Sequence, residues 1–225
     1  MFELSKEFDV TVITDIGLDK RSAIIVDNFY QNPDEVRQYA YQCSLKNNPD
    51  LMSGLPGWRI YEENSAVREN LKPFFDELKE QKIWKNKINL DVWEENWNKT
   101  NFLCNVMNSE TRAFGGGIPH HDGFGVHFGS VIYLNTPDEC SGGTRLYSVY
   151  GNSGHDGEKE FGHLYNEHIK NKWIHDNESD DWKVEIDFEM VYNRCILYES
   201  DQLHAQWYEE GEFSEHHRLA QVLFI

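Results

Sequence analysis

The residues most able to do chemistry lie in "GGGIPHHDGFG", residues 115–125. Two imidazoles and a carboxylate stand together in a permissive loop. Read as His120-x-Asp122, the pair sits beside a β-like run, where residues i and i+2 point to one face. One imidazole and one carboxylate can therefore converge on one ion. Two protein ligands are too few for a tight site, so a third should come from another strand. His204, in "LYESDQLHAQWY", opens such a strand. Two His and one carboxylate on one face leave coordination positions open, the arrangement suited to Fe(II). On the last β-run, "RLAQVLFI", Arg218, Ala220, Val222 and Phe224 share a face. If that face points inward, Arg218 is a buried cation that needs an anion. A dicarboxylate with one end on the metal and the other on Arg218 meets that need bidentately.

Other readings stand beside this one. His120 and Asp122 could decorate a polar turn, His204 could be an ordinary histidine at a barrel mouth, and Arg218 could be a structural ion-pair partner. The alternative frame His121-x-Gly123 imitates a halogenase site, in which glycine replaces the carboxylate and chloride binds the metal. A structural metal in a cupin-like or jelly-roll binding module is a further possibility; such a site is normally closed by a fourth protein ligand, and none is evident. The glycines 115–117 precede no strand-to-helix transition and do not read as a phosphate cradle.

The order His120-x-Asp122, His204, Arg218 resembles that of Fe(II)/2-oxoglutarate-dependent oxygenases. "IIVDNFYQNPDEVRQYA", "LPGWR", "SGGTRLY", "YNRCILYES" and "HRLAQ" extend the resemblance over nearly the whole chain, towards a little-characterised branch of that superfamily. The resemblance implies a mainly β, α+β fold: a double-stranded β-helix (jelly-roll, cupin-like) barrel with N-terminal helices packed on its major sheet. It implies Fe(II) held by His120, Asp122 and His204, with 2-oxoglutarate as cosubstrate bound by Arg218. Asn105 and Tyr133 would add polar contacts to that cosubstrate. With O2, such an enzyme hydroxylates an unactivated C–H bond of a small molecule, amino acid or peptide.

The elements that must position these residues can be read in outline. "FDVTVIT" (8–14) and "SAIIVDNFY" (22–30) read as strands. Asn32-Pro33 starts a helix that presents Val36, Tyr39, Ala40 and Cys43 on one face. Residues 49–58 read as a loop. Ser65 should cap a second helix carrying Val67, Leu71, Phe74, Phe75 and Leu78, broken or restarted at Pro73. From about residue 89, short β-like runs recur at 102–108, 126–136, 143–150, 184–192, 194–200, 204–209 and 218–225, separated by turn residues. Residues 151–183 interrupt them as a partly helical insertion rich in acids and aromatics. It is placed to act as a lid and to favour a cationic substrate group. The organisation expected is one domain, with 1–88 an α/β support region and 89–225 the β-helix core.

Composition sets outer bounds. The chain has 225 residues, 39% hydrophobic and 14% aromatic, enough for a sizeable core and against disorder. A net charge of -18 repels phosphate backbones and anionic lipid heads, which argues against nucleic-acid and membrane partners. Four scattered cysteines without a C-x-x-C, and an N-terminus lacking a signal-peptide pattern, point to a reducing, cytoplasmic setting.

Overall fold

A computed structural model describes residues 1–46, 58–108, 119–123, 125–149, 182–209 and 211–225. The expected insertion lies outside these residues from 151 to 181, and most of the expected 49–58 loop lies outside them too.

Strands β1 (Asp9–Ile16) and β2 (Arg21–Asp27) form an antiparallel hairpin. Helix α1 (Pro33–Lys46) follows, with Pro33 at its first position and Asp34 and Glu35 in its first turn. Both features favour a helix start: proline lacks only an N–H that would be orphaned there, and the acids oppose the positive end of the helix dipole. Val36, Ala40 and Cys43 are buried along one face. A short strand missed in the sequence, β3 (Trp58–Glu62), precedes α2 (Ser65–Lys79). The cap of α2 is Asn64, not Ser65. Its side chain accepts from the Ala66 N–H at 3.1 Å. Nor does Pro73 break the helix: α2 runs through it. An interior proline costs about 3 kcal/mol, and Phe74, Phe75 and Leu78 are all buried beyond it. Helix α3 (Leu90–Lys99), also missed, is capped by Asn89 and buries Trp93 and Trp97 one turn apart.

The remaining strands fall close to the β-like runs: β4 (Phe102–Met107), β5 (Phe128–Tyr133), β6 (Gly143–Val149), β7 (Trp182–Glu189), β8 (Cys195–Glu199), β9 (His204–Trp207) and β10 (Arg218–Phe224). They build two antiparallel sheets. One has seven strands in the order β1-β2-β8-β5-β10-β4-β3; the other has three, β7-β6-β9. The outcome is an antiparallel sandwich of jelly-roll character. Among the described residues it is not a closed barrel: the large sheet ends at β1 and β3, and strand hydrogen bonding does not wrap around.

Alternation along each strand divides the molecule into layers. On β10, Leu219 and Leu223 pack with the helices, whereas Ala220 and Val222 face the small sheet. On β8, Cys195 and Leu197 take the first face and Ile196 and Tyr198 the second. The helices therefore cover one side of the large sheet in an aromatic-rich core. The other side, with Leu146 and Phe188 from the small sheet, forms the inter-sheet core in which the candidate site lies.

Candidate metal centre

The segment carrying His120 and Asp122 is tied to the start of β9 and the end of β8 by backbone hydrogen bonds. The His120 N–H donates to the His204 carbonyl at 3.0 Å, and the His204 N–H donates back at 2.9 Å. The Asp122 N–H donates to Ser200 O at 2.8 Å. This short antiparallel pairing brings ligand-type atoms of His120, Asp122 and His204 within 4.8 Å of one another. Asp122 Oδ1 lies 3.9 Å from His120 Nε2 and 3.5 Å from His204 Nε2. The Asp122 side chain is 5% exposed and that of His120 47%, so the cluster opens outward on the His120 side.

Neighbouring groups orient these ligands. His204 Nδ1–H donates to the Gln202 carbonyl at 2.8 Å, which leaves the Nε2 lone pair facing the cluster. The Tyr198 ring packs on the His204 ring with centroids 4.5 Å apart. Gly129, on β5, makes room for Asp122. A Cβ at that position would collide with Asp122 Oδ2 and come within 2.7 Å of the Tyr198 ring. Burial opposes the charge on Asp122, but the imidazoles of His204 and His120 and the Arg59 guanidinium outweigh it and hold the carboxyl below its ordinary range. Burial would likewise lower His204, yet the Asp122 carboxylate raises it above its ordinary value.

The cluster fits a divalent metal by its donors, two imidazole nitrogens and a carboxylate. It also fits by what it lacks. Asp122 Oδ2 is buried with no hydrogen-bond partner among the described residues, an arrangement costly without a cation. The frame starting at His121 is disfavoured, because His121 Nδ1 accepts from the Gly123 N–H at 2.9 Å while Asp122 faces the cluster.

Arg218, at the start of β10, lines the same cavity and is 2% exposed. Its Nη2 donates to Gly143 O at 3.3 Å, its guanidinium lies 5.5 Å from the Tyr133 ring centroid, and its Nε has no partner among the described residues. No carboxylate among the described residues pairs with it. Burial pulls its pKa below the ordinary arginine value. Tyr133, paired across the sheet with the cavity residue Ala220, is fully buried. Its hydroxyl donates to Thr144 Oγ1 at 2.8 Å, and burial pushes the phenol up to about 12. Asn105 does line the cavity, but its Oδ1 accepts from Arg59 Nε at 3.1 Å.

Arg59, Tyr198 and Gly129 are site residues that the sequence did not expose. Arg59 stands in a five-residue strand next to a Gly- and Pro-rich stretch. Tyr198 and Gly129 occupy ordinary strand positions, and only the fold brings them against Asp122. The expectation of a cationic substrate rested on acids in 151–183, all of them outside the described residues. The described cavity instead carries two guanidiniums and one carboxylate.

Residues 7–218 match a family of unknown function, DUF6445, and the chain belongs to that family. No sequence among curated proteins matches it. Two solved structures are similar to it in overall path. One is a Pseudomonas putida prolyl-4-hydroxylase, at 15% identity and a TM-score of 0.42, over 96% of this chain and 91% of that one. The other is an N-substituted L-amino acid dioxygenase from Burkholderia ambifaria AMMD, at 12% identity and a TM-score of 0.43, over 97% and 94%.

Proposed function

We propose that the protein is an Fe(II)- and 2-oxoglutarate-dependent oxygenase whose sandwich is a double-stranded β-helix, and that it hydroxylates a C–H bond of a small molecule or peptide. The observation that carries this reading is one cavity holding both a His120–Asp122–His204 cluster, with a carboxylate oxygen orphaned among the described residues, and a buried Arg218 that no described carboxylate pairs. His120, Asp122 and His204 would hold the metal. Arg218 would take the distal carboxylate of 2-oxoglutarate, kept in place by Tyr133 beneath it and by the Gly143 carbonyl. Iron bound there supplies the oxidative decarboxylation of 2-oxoglutarate by O2 and the transfer of one oxygen atom to the substrate. The chain's own part is to orient the reactants and keep water from them.

The reading as a structural metal in a binding module is weaker, because a closed site takes a fourth protein ligand and the described cluster offers three. Three of the four free cysteines are buried, as suits a protein of the reducing cytoplasm.

The test is anaerobic addition of Fe(II) and 2-oxoglutarate to the purified protein, followed by the visible charge-transfer absorption of the metal–keto-acid chelate. His204→Ala should abolish iron uptake while the protein stays folded. Arg218→Ala should keep iron and weaken 2-oxoglutarate binding well over tenfold, since truncating a buried charge pair costs roughly 2–5 kcal/mol. Full iron binding by His204→Ala, or unchanged 2-oxoglutarate affinity in Arg218→Ala, would overturn these assignments.

A further inference from the structure

The cavity holds a second cation that this reaction does not use. Arg59 and Tyr61 point from β3 to the same side of the large sheet, as Leu103 and Asn105 do from β4 and Val222 and Phe224 from β10. In register, Arg59 pairs with Asn105, and Asn105 with Ala220. From that row the Arg59 side chain runs towards the far end of β10, where its guanidinium lies 5.4 Å from the Phe224 ring centroid. Arg218 opens β10, and Phe224 closes it six residues later, about 20 Å along the strand. The Arg59 guanidinium therefore lies towards the Phe224 end of β10, whereas Arg218 stands at its start beside Tyr133. A five-carbon dicarboxylate held by Arg218 and the metal leaves Arg59 only the charge of Asp122, which the metal would also claim.

Charge gives the same result. Among the described residues, Asp122 is the one acid lining this cavity, against Arg59 and Arg218. A divalent metal and a doubly charged cosubstrate cancel each other, so one positive charge remains. No acid among the described residues forms an ion pair with Arg59. Its one hydrogen bond there, from Nε to Asn105 Oδ1, is to a neutral group. Next to Arg59, and sharing Val222 and Phe224 with the metal cavity, an open cleft of largely apolar lining includes Tyr61 and Leu103.

We propose that Arg59 recognises a carboxylate on the prime substrate, and that the cleft beside Tyr61, Leu103 and Phe224 takes that substrate's apolar body. The substrate class is thus an amphipathic carboxylate, not an amine. Asn105 is the positioning residue that aims the guanidinium. The proposal deepens the oxygenase reading and depends on it only for the reaction performed, because the anion site needs no metal.

Calorimetric titration with hexanoate and phenylacetate, each against its primary amide, tests it on the full chain. Protein loaded with Co(II) and 2-oxoglutarate without oxygen is compared with metal-free protein. Wild type should bind at least one carboxylate about tenfold or more tighter than its amide, as a charge-assisted contact requires. Arg59→Gln should erase that preference while Co(II) and 2-oxoglutarate still bind, and Arg59→Lys should restore part of it. In wild type the carboxylates, and not the amides, should also protect Arg59 from phenylglyoxal, read by peptide mass spectrometry. That measurement decides the matter if Arg59→Gln does not fold. Equal affinity for both acids and their amides, or an undiminished preference in Arg59→Gln, overturns the proposal. Loss of 2-oxoglutarate binding in Arg59→Gln also overturns it, making Arg59 a cosubstrate anchor. Failure of wild type to take up metal would instead sink the oxygenase reading, leaving the metal-free comparison of acid and amide intact.

Discussion

Asp122 has its carboxylate where a side chain from β5 would otherwise stand. Gly129 leaves that volume empty, so Gly129→Ala should displace Asp122 without removing any ligand. We expect Fe(II) affinity to fall on the order of 10–100-fold, the range typical of lost outer-shell support, with the circular dichroism spectrum unchanged. Wild-type affinity in that variant would show that Asp122 is held by other means. The residues that could be found in the sequence were those with a repeatable spacing. His120 and Asp122 stand two apart, and His204 and Arg218 open β-like runs, so their order alone proposes a chemistry. Arg59 and Gly129 have no such signature. An arginine in β3 and a glycine in β5, both short strands, acquire meaning only when β3 pairs with β4 and the 119–123 segment folds over β5.

Asp76 on α2 gathers three polar contacts, one of them from α3. Lys72 and Lys79 reach it at 2.7 Å each, and Trp93 Nε1 donates to it at 2.7 Å. Burial alone would raise this carboxyl, but the two lysines and the indole outweigh it and hold it below its ordinary value. The sign follows: a carboxylate depressed in the folded state contributes in full above its unfolded pKa, and that contribution is lost as pH falls through the folded one. Urea midpoints measured from pH 7 down to pH 3 should therefore fall less steeply in Asp76→Asn than in wild type, from a lower starting point at pH 7. Parallel curves would remove Asp76 from the account. Elements with strong periodicity were visible in the sequence, α1 and most strands among them. Helix α3 was not, because "LDVWEENWNK" offers just two large aromatics on its buried face. Tertiary burial of Trp93 and Trp97, not local pattern, makes it a helix. The same burial carries α2 through Pro73, where propensity alone predicted a stop.

A sheet whose neighbours include β2 with β8 and β10 with β4 joins strands far apart in the chain. Alternation reveals that such strands exist and which face is apolar. It does not say which strand each will choose, so the expected barrel and the observed pair of sheets are written by the same pattern. The site lies between those sheets, so ligands that bind it should stabilise the whole molecule. At 100 times the dissociation constant, one ligand contributes about 2.7 kcal/mol, which for a domain of this size corresponds to a rise of about 5–10 °C in melting temperature. Differential scanning fluorimetry with Co(II), and then with 2-oxoglutarate added without oxygen, should show two successive increases. Arg218→Ala should show the first without the second.

The two histidines are also partners in a backbone hydrogen-bonded pair, each donating an N–H to the other's carbonyl. Their separation is consequently set by peptide geometry before any ion arrives. The pocket would act as a casting mould and not as a drawstring: a metal bound there would enter a shape the strands have already cut.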